Sequence, residues 1–286
     1  MKTILKLLTN KNWLFAIAFS GLFLASCDNE EDIGLVSDEA ETEAISEADI
    51  DAVYEDVDDM ALVSLQAADN SGGRITEDTP DSDRFCGTVT FEGDKSAGKI
   101  TIDFGDGCED KKGNVRKGKV IIEYQKGRLI PGSFVMISLE GYSINDIAIE
   151  GVRKLENISE SIEDYPTFHI TLVGGKITWP DGTDATREVD KVRVWVNAAN
   201  PINDEHHVTG TANGKTRRGV NYDMVITDTL VYKRSCRFSR RARIPVAGTK
   251  VITTDNKTII MDFGDGECDR KVEITVNGNN EEVTLD

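Results

Sequence analysis

Histidine is nearly absent from this chain of 286 residues, with three in all, and cysteine is sparse at five. No Cys-x-x-Cys pair occurs and His206-His207 stands isolated in sequence, so a zinc site of ordinary ligand spacing is not expected. There is no nucleophile elbow, phosphate loop, zinc-protease motif or recognisable pair of catalytic carboxylates. Reactions that announce themselves by a local motif are therefore excluded. His169, in the alternating stretch "TFHITL", reads as a structural side chain rather than a base. No stretch has the form of a βαβ unit, and residues 28 to 83 hold one basic residue, Arg74, against 20 Asp or Glu.

What is present begins at the N-terminus. Lys2, Lys6 and Lys11 precede the apolar run "WLFAIAFSGLFLA", and "LASC" then stops at Cys27. The run is shorter than the ~20 residues of a membrane span and is soon followed by acids, so it is a targeting segment, not structure. Leu24, Ala25 and Ser26 before the cysteine resemble the lipobox of bacterial lipoproteins. That resemblance implies a signal peptide over 1–26, cleavage after Ser26 and diacylglyceryl attachment at Cys27. Each buried CH₂ adds ~0.8 kcal/mol of membrane affinity, so several acyl chains would hold the protein without a span.

The formal charge of −18 is unevenly placed: +3 on residues 1–27, −19 on 28–83 and −2 on 84–286. Residues 27–43 carry too many acids to bury a core and read as a tether. Acids directly after a lipidated cysteine resemble the surface-export signal of Bacteroidota lipoproteins. Asp28, in contrast, matches an inner-membrane retention signal of enterobacterial lipoproteins. Cell outer membrane with surface exposure and the periplasmic face of a membrane are therefore both in play, the first preferred. Across 44–68, Ile50, Val53, Tyr54, Val57, Met60, Ala61 and Leu65 recur at three and four residues, which predicts an amphipathic helix with acids opposite. Its stripe would pack on the following domain or on a second copy. With no Lys or Arg on its polar face, it is not expected to bind a membrane surface. Residues 69–84, rich in Gly, Ser and Asp, read as a linker.

From Phe85 the period becomes two. "TVTFEG", "KITIDF", "KVIIEY", "SFVMISL", "TFHITLVG", "KITWP", "KVRVWVN", "MVITDTLVYK", "IIMDF" and "KVEITV" alternate branched or aromatic residues with polar ones between short turns. About ten strands over 85–286 predict an all-β domain of successive antiparallel hairpins, either a sandwich or a long curved sheet. The order "DFGDGC", "GKVIIEY", "GYSINDIAIEGVRKLEN", "GGKITWPDGT", "VTGTANGKTRRGVNY" and "DFGDGECDRKVEITVNG" is similar to a family of Bacteroidota lipoproteins. That resemblance implies a fold and brings no catalytic residues with it. "DFGDG" also resembles the hallmark of PKD-type domains, but the preceding Trp and the His-x-Tyr element are missing and a cysteine follows.

Setting Cys27 aside leaves Cys86, Cys108, Cys236 and Cys268, an even number in an exported chain, which reads as two disulfides. Four cysteines allow three connectivities. Hairpin geometry selects 86 with 108 and 236 with 268, each cysteine arriving beside the start of a neighbouring strand. The two Gly-Asp-Gly corners are then stapled turns, with Asp106 or Asp265 expected to bind loop amides. Neither has the Asp-x-Asp-x-Asp-Gly spacing of a calcium loop.

No catalytic residue, metal or cofactor is assigned, and nucleic acid is not an expected partner. A candidate binding face comes from "KVRVWVN": with Val192, Val194 and Val196 inward, Arg193 and Trp195 would face out, joined by Trp179, to stack a glycan or an envelope protein. The basic run Lys233 to Arg243 would meet a polyanion or the chain's own acidic helix. The expectation is a lipid-anchored envelope lipoprotein with a non-catalytic binding or scaffolding role. The alternative is a lipid-anchored glycan-processing enzyme, whose two acids would stand far apart in sequence.

Overall fold

The computed structural model describes residues 38–71, 85–236 and 244–285. The signal segment, Cys27, most of the linker and most of the basic run lie outside these. The first element is a helix, α1 (Asp38–Ser71), followed by β1 (Thr88–Gly93), β2 (Ala97–Asp103), β3 (Cys108–Glu109), β4 (Val115–Gln125), β5 (Phe134–Ile144), β6 (Ile147–Asn157) and β7 (Thr167–Thr178). Then come β8 (Asp184–Val196), β9 (Glu205–Lys215), β10 (Asn221–Lys233), β11 (Ala247–Thr254), β12 (Thr258–Asp265), β13 (Lys271–Val276) and β14 (Asn279–Thr284). Among the described residues the fold is all-β apart from α1 and short helical turns such as the 3-10 turn at Pro201–Asn203. All the strands join one antiparallel sheet in chain order, with β3 off the path beside β4. Of the two shapes left open by the sequence, the long curved sheet is the one adopted.

Curvature comes from glycine bulges. Pairing slips between Lys117 and Lys119 on β4 and between Ser138 and Ser143 on β5. Gly118 and Gly141 sit in those slips with φ of 75° and 57°, and a Cβ on Gly118 would stand 2.2 Å from the Gly141 carbonyl oxygen. Such bulges bend a strand and increase its twist. The same device joins what the sequence reading divided: "TFHITLVG" and "KITWP" are one strand, β7, bulged at Gly174, whose φ is 65°.

The bent sheet curls around α1. From Ile50 to Ala68 no helix residue is exposed, and Asp56, Val57 and Asp58 are buried in succession, so the burial covers every azimuth and not one stripe. Helix residues Ala44, Tyr54, Met60 and Leu65 share one core with Ile102, Ile122, Ile137, Leu172, Met224 and Ile274 of the sheet. Here the sequence reading needs correction. The helix runs from Asp38, inside the expected tether, to Ser71, inside the expected linker, and Glu43, Glu47, Asp56 and Asp58 are buried instead of facing solvent.

Two rims result. The near rim carries the β7–β8, β9–β10 and β11–β12 turns, and the N-terminal part of α1 lies there, with Glu43 Oε2 2.9 Å from Lys257 Nζ. The far rim carries the β4–β5, β6–β7 and β8–β9 loops. Those loops interlock: the Gly132 amide donates to the Asn157 carbonyl at 2.8 Å, and the Trp195 amide to the Pro166 carbonyl at 2.8 Å.

Candidate functional site: a cationic interior filled by an acidic helix

Twelve of the 34 residues of α1 are Asp or Glu, and none is Lys or Arg. Glu43, Glu47, Asp51, Glu55 and Asp59 follow one another at four residues, so like charges stack along one line of the helix. Such i, i+4 repulsion destabilises an isolated helix. The sheet supplies the compensation. Arg116 on β4, Arg153 on β6, Arg187, Lys191 and Arg193 on β8 and Lys250 on β11 all point inward and are buried.

The pairing is dense. Arg187 Nη1 donates to Glu47 Oε2 at 2.5 Å and its Nη2 to Asp51 Oδ1 at 2.8 Å. Lys191 and Lys250 reach the two Asp51 oxygens at 3.0 and 2.9 Å. One turn on, Glu55 accepts from Arg193 and Asp58 is gripped by Arg153 through two nitrogens, the Nη2 contact being 2.8 Å. Arg116 Nη1 donates to Asp56 Oδ2 and to the Tyr142 hydroxyl, both at 2.6 Å, while its Nε donates to Asp110 at 3.1 Å.

Electrostatics follow from this arrangement. Burial pushes the Asp51 carboxyl up, but Arg187, Lys191 and Lys250 together hold it well below the usual carboxylate range. Glu55 goes the other way: burial, reinforced by Asp58 and Asp59, raises it despite Arg193 and Arg153. Burial also lowers Lys191, aided by the neighbouring Arg187 and Lys250. The Tyr54 hydroxyl, pushed up to about 12 by burial, donates to the Glu150 carbonyl at 2.9 Å. Buried ion pairs contribute little net stability over an apolar core, yet removing one partner costs ~3–5 kcal/mol.

The expected binding face is not assembled. On β8 the inward set is Ala185, Arg187, Val189, Lys191 and Arg193, so Arg193 is 5% exposed while Val192 and Val194 lie on the outer side. Apolar residues usually mark the core, but here the inward phase of β8 carries cations because their carboxylate partners lie in the core. Trp195 is at the far rim, its Nε1 donating to Asp204 at 3.0 Å, with Arg128 stacked 5.1 Å above its ring. Trp179 is at the near rim, where β7 turns, under Arg217 at 4.4 Å. The length of β8 separates the two. Beside Trp179, the Thr183 hydroxyl and amide and then Arg217 hold Asp181 down to about 2.

Both expected disulfides are present, Cys86 with Cys108 and Cys236 with Cys268, with Cα separations of 5.7 and 5.3 Å. In each stapled corner it is the first Asp of "DFGDG" that binds the loop. Asp103 accepts from the Gly105 amide at 2.9 Å and Asp262 from the Gly264 amide at 2.8 Å, so Asp106 and Asp265 do not have the role expected of them. No family model, curated protein or solved structure matches the chain. The far rim remains the most apolar exposed area among the described residues. Leu129, Ile130, Ile158, Ile162 and Tyr165 stand there, Ile162 at 69% and Tyr165 at 53% exposed. The signal that would have exposed the interior was available: a helix segment with no base, and cations on β8 in phase with Ala185 and Val189.

Proposed function

We propose that the protein is a lipoprotein fastened to the cell outer membrane through lipid on Cys27, displayed at the surface, with a non-catalytic binding or scaffolding role. The observation that carries the scaffolding part is the filled interior. A curled sheet can place a ligand site inside, and here α1 takes that space, its carboxylates paired with the sheet's buried cations. Contact with a glycan or an envelope protein then falls to the outside, and the far-rim loops with Ile162 and Tyr165 are the best-equipped surface for it. The lipobox order of basic, apolar and "LASC" segments supports the anchor, and two disulfides fit an exported chain.

The anchor is tested by replacing Cys27 with Ser and following radiolabelled palmitate in cells; labelling is expected to disappear, and persistent labelling rejects it. The role is tested by offering the purified protein a panel of envelope polysaccharides and proteins. Retention without turnover, reduced in an Ile162→Asp, Tyr165→Asp variant, is the expected result. Turnover of any polysaccharide would replace the scaffold with a glycan-processing enzyme.

A further inference from the structure

The two margins of the sheet are finished differently. β14 ends the sheet with Asn279, Asn280, Glu281 and Glu282, and its inward residues are covered, Val283 at 7% and Leu285 at 4% exposed. Adjacent acids on an edge strand discourage pairing with another chain. β1 ends the sheet with "TVTFEG", a strong β-former with one charge. Its inward residues Val89 and Phe91 are only half-buried, although their cross-strand neighbours Ile102 and Ile100 are fully buried. Among the described residues, no strand pairs with the outer edge of β1. Its backbone donors and acceptors and its apolar side chains are both incomplete there.

We propose that this edge is completed by β1 of a second copy, the two strands running antiparallel about a two-fold axis through Thr90. Registers centred on Val89 or on Phe91 also keep the faces together, but they set Phe91 against Gly87 or Val89 against Gly93; centring on Thr90 gives both apolar residues an apolar partner. Antiparallel partners directly opposite share a face of the sheet, so inward residues must meet inward residues. Pairing Thr90 with Thr90 of the second copy puts Val89 against Phe91 and Phe91 against Val89, and the half-buried pair covers itself. Thr88 then meets Glu92, and no two like charges are opposed. A register shifted by one residue would set Val89 against Glu92, with an apolar and a polar face merged. On the outer side, Thr90 lies in a shallow open groove of about 810 Å³ with Lys99 and Lys119, and the axis joins the two grooves into one polar trough. So short a seam falls in the size range of weak, transient contacts.

The test uses the full-length protein in detergent, with sedimentation read over a range of concentrations up to about millimolar, the weak end of measurable affinity. Concentration-dependent dimers are expected. Thr90→Lys sets two ammonium groups face to face and should weaken the dimer at least about tenfold, whereas Thr88→Lys, placed opposite Glu92, should tighten it by about two- to tenfold. Both positions are exposed, and an unchanged circular dichroism spectrum and thermal midpoint confirm that each variant folds. Mild oxidation should link Thr90→Cys to itself, leave Thr88→Cys and Glu92→Cys unlinked when alone, and link those two when mixed. A monomer at every concentration, a dimer indifferent to Thr90→Lys, or self-linking of Thr88→Cys overturns the proposal. So does a monomer whose β1 amides are already protected from exchange, since another segment then holds the edge.

Discussion

Asp51 and Glu55 stand one turn apart on the same line of α1, both facing basic side chains, and their carboxyls shift in opposite directions. The difference lies in the count of neighbours. Around Asp51 and Glu47, three cations from two strands, Arg187, Lys191 and Lys250, serve two acids. Around Glu55 and Asp58, two arginines serve two acids, with Asp59 close enough to add repulsion. The interior is therefore not uniformly matched. One turn has an excess of positive charge and locks its carboxylate; the next has none to spare and carries a strained one.

The sharpest way to break this comparison is Asp51→Asn, which leaves Arg187, Lys191 and Lys250 buried around Glu47 alone. A loss of about 3–5 kcal/mol is expected in urea unfolding followed by tryptophan fluorescence. A loss below about 1 kcal/mol would mean the cations are satisfied without it.

Titration sharpens it next. Asp51 is lower in the folded protein than its ordinary 3.8, so its contribution is present above 3.8 and is lost as pH falls through the folded value. Glu55 is higher than its ordinary 4.5, so its contribution is present below 4.5 and is lost as pH rises through the folded value. The thermal midpoint should thus climb as pH is lowered from 7 toward 4.5, then drop below 3.8. A midpoint that declines steadily from neutrality would contradict the assignment to Glu55. The smallest effect is reserved for Glu55→Gln, which removes a strained charge together with a hydrogen bond. Its stability at neutral pH should stay within about 1 kcal/mol of the parent, and the climb between pH 7 and 4.5 should flatten, as calorimetry across that range would show.

The strands were legible where they alternate cleanly, as in β2, β4, β12 and β13. The hairpin logic also placed both disulfides. β9, "EHHVTGTANGK", has little strand signal of its own because Gly, Thr and Asn carry most of it, and its place in the sheet comes from its neighbours β8 and β10. In β7, Gly174-Gly175 has the composition of a turn, and its pairing with β8 makes it a bulge. The interior misled for a different reason. By polarity alone, the phase of β8 containing Arg187, Lys191 and Arg193 belongs outside, and the structure puts it inside. A charged residue can be inside only when its partner is, and those partners are about 140 residues away in sequence, on a segment read by itself as solvated.

The helix also sets the timing of folding. Its partners arrive 60 residues later at Arg116, 95 later at Arg153, 140 later at Arg187 and 203 later at Lys250. Contacts of such long range make folding slow, because loop closure must precede any reward. During synthesis the first structured segment emerges as a self-repelling acidic coil with nothing to pair with. A chain released before β11 would still lack the cation that completes the Asp51 cluster. Nucleation near the N-terminus is thereby disfavoured, and the interior closes only when the last strands supply the counter-charges.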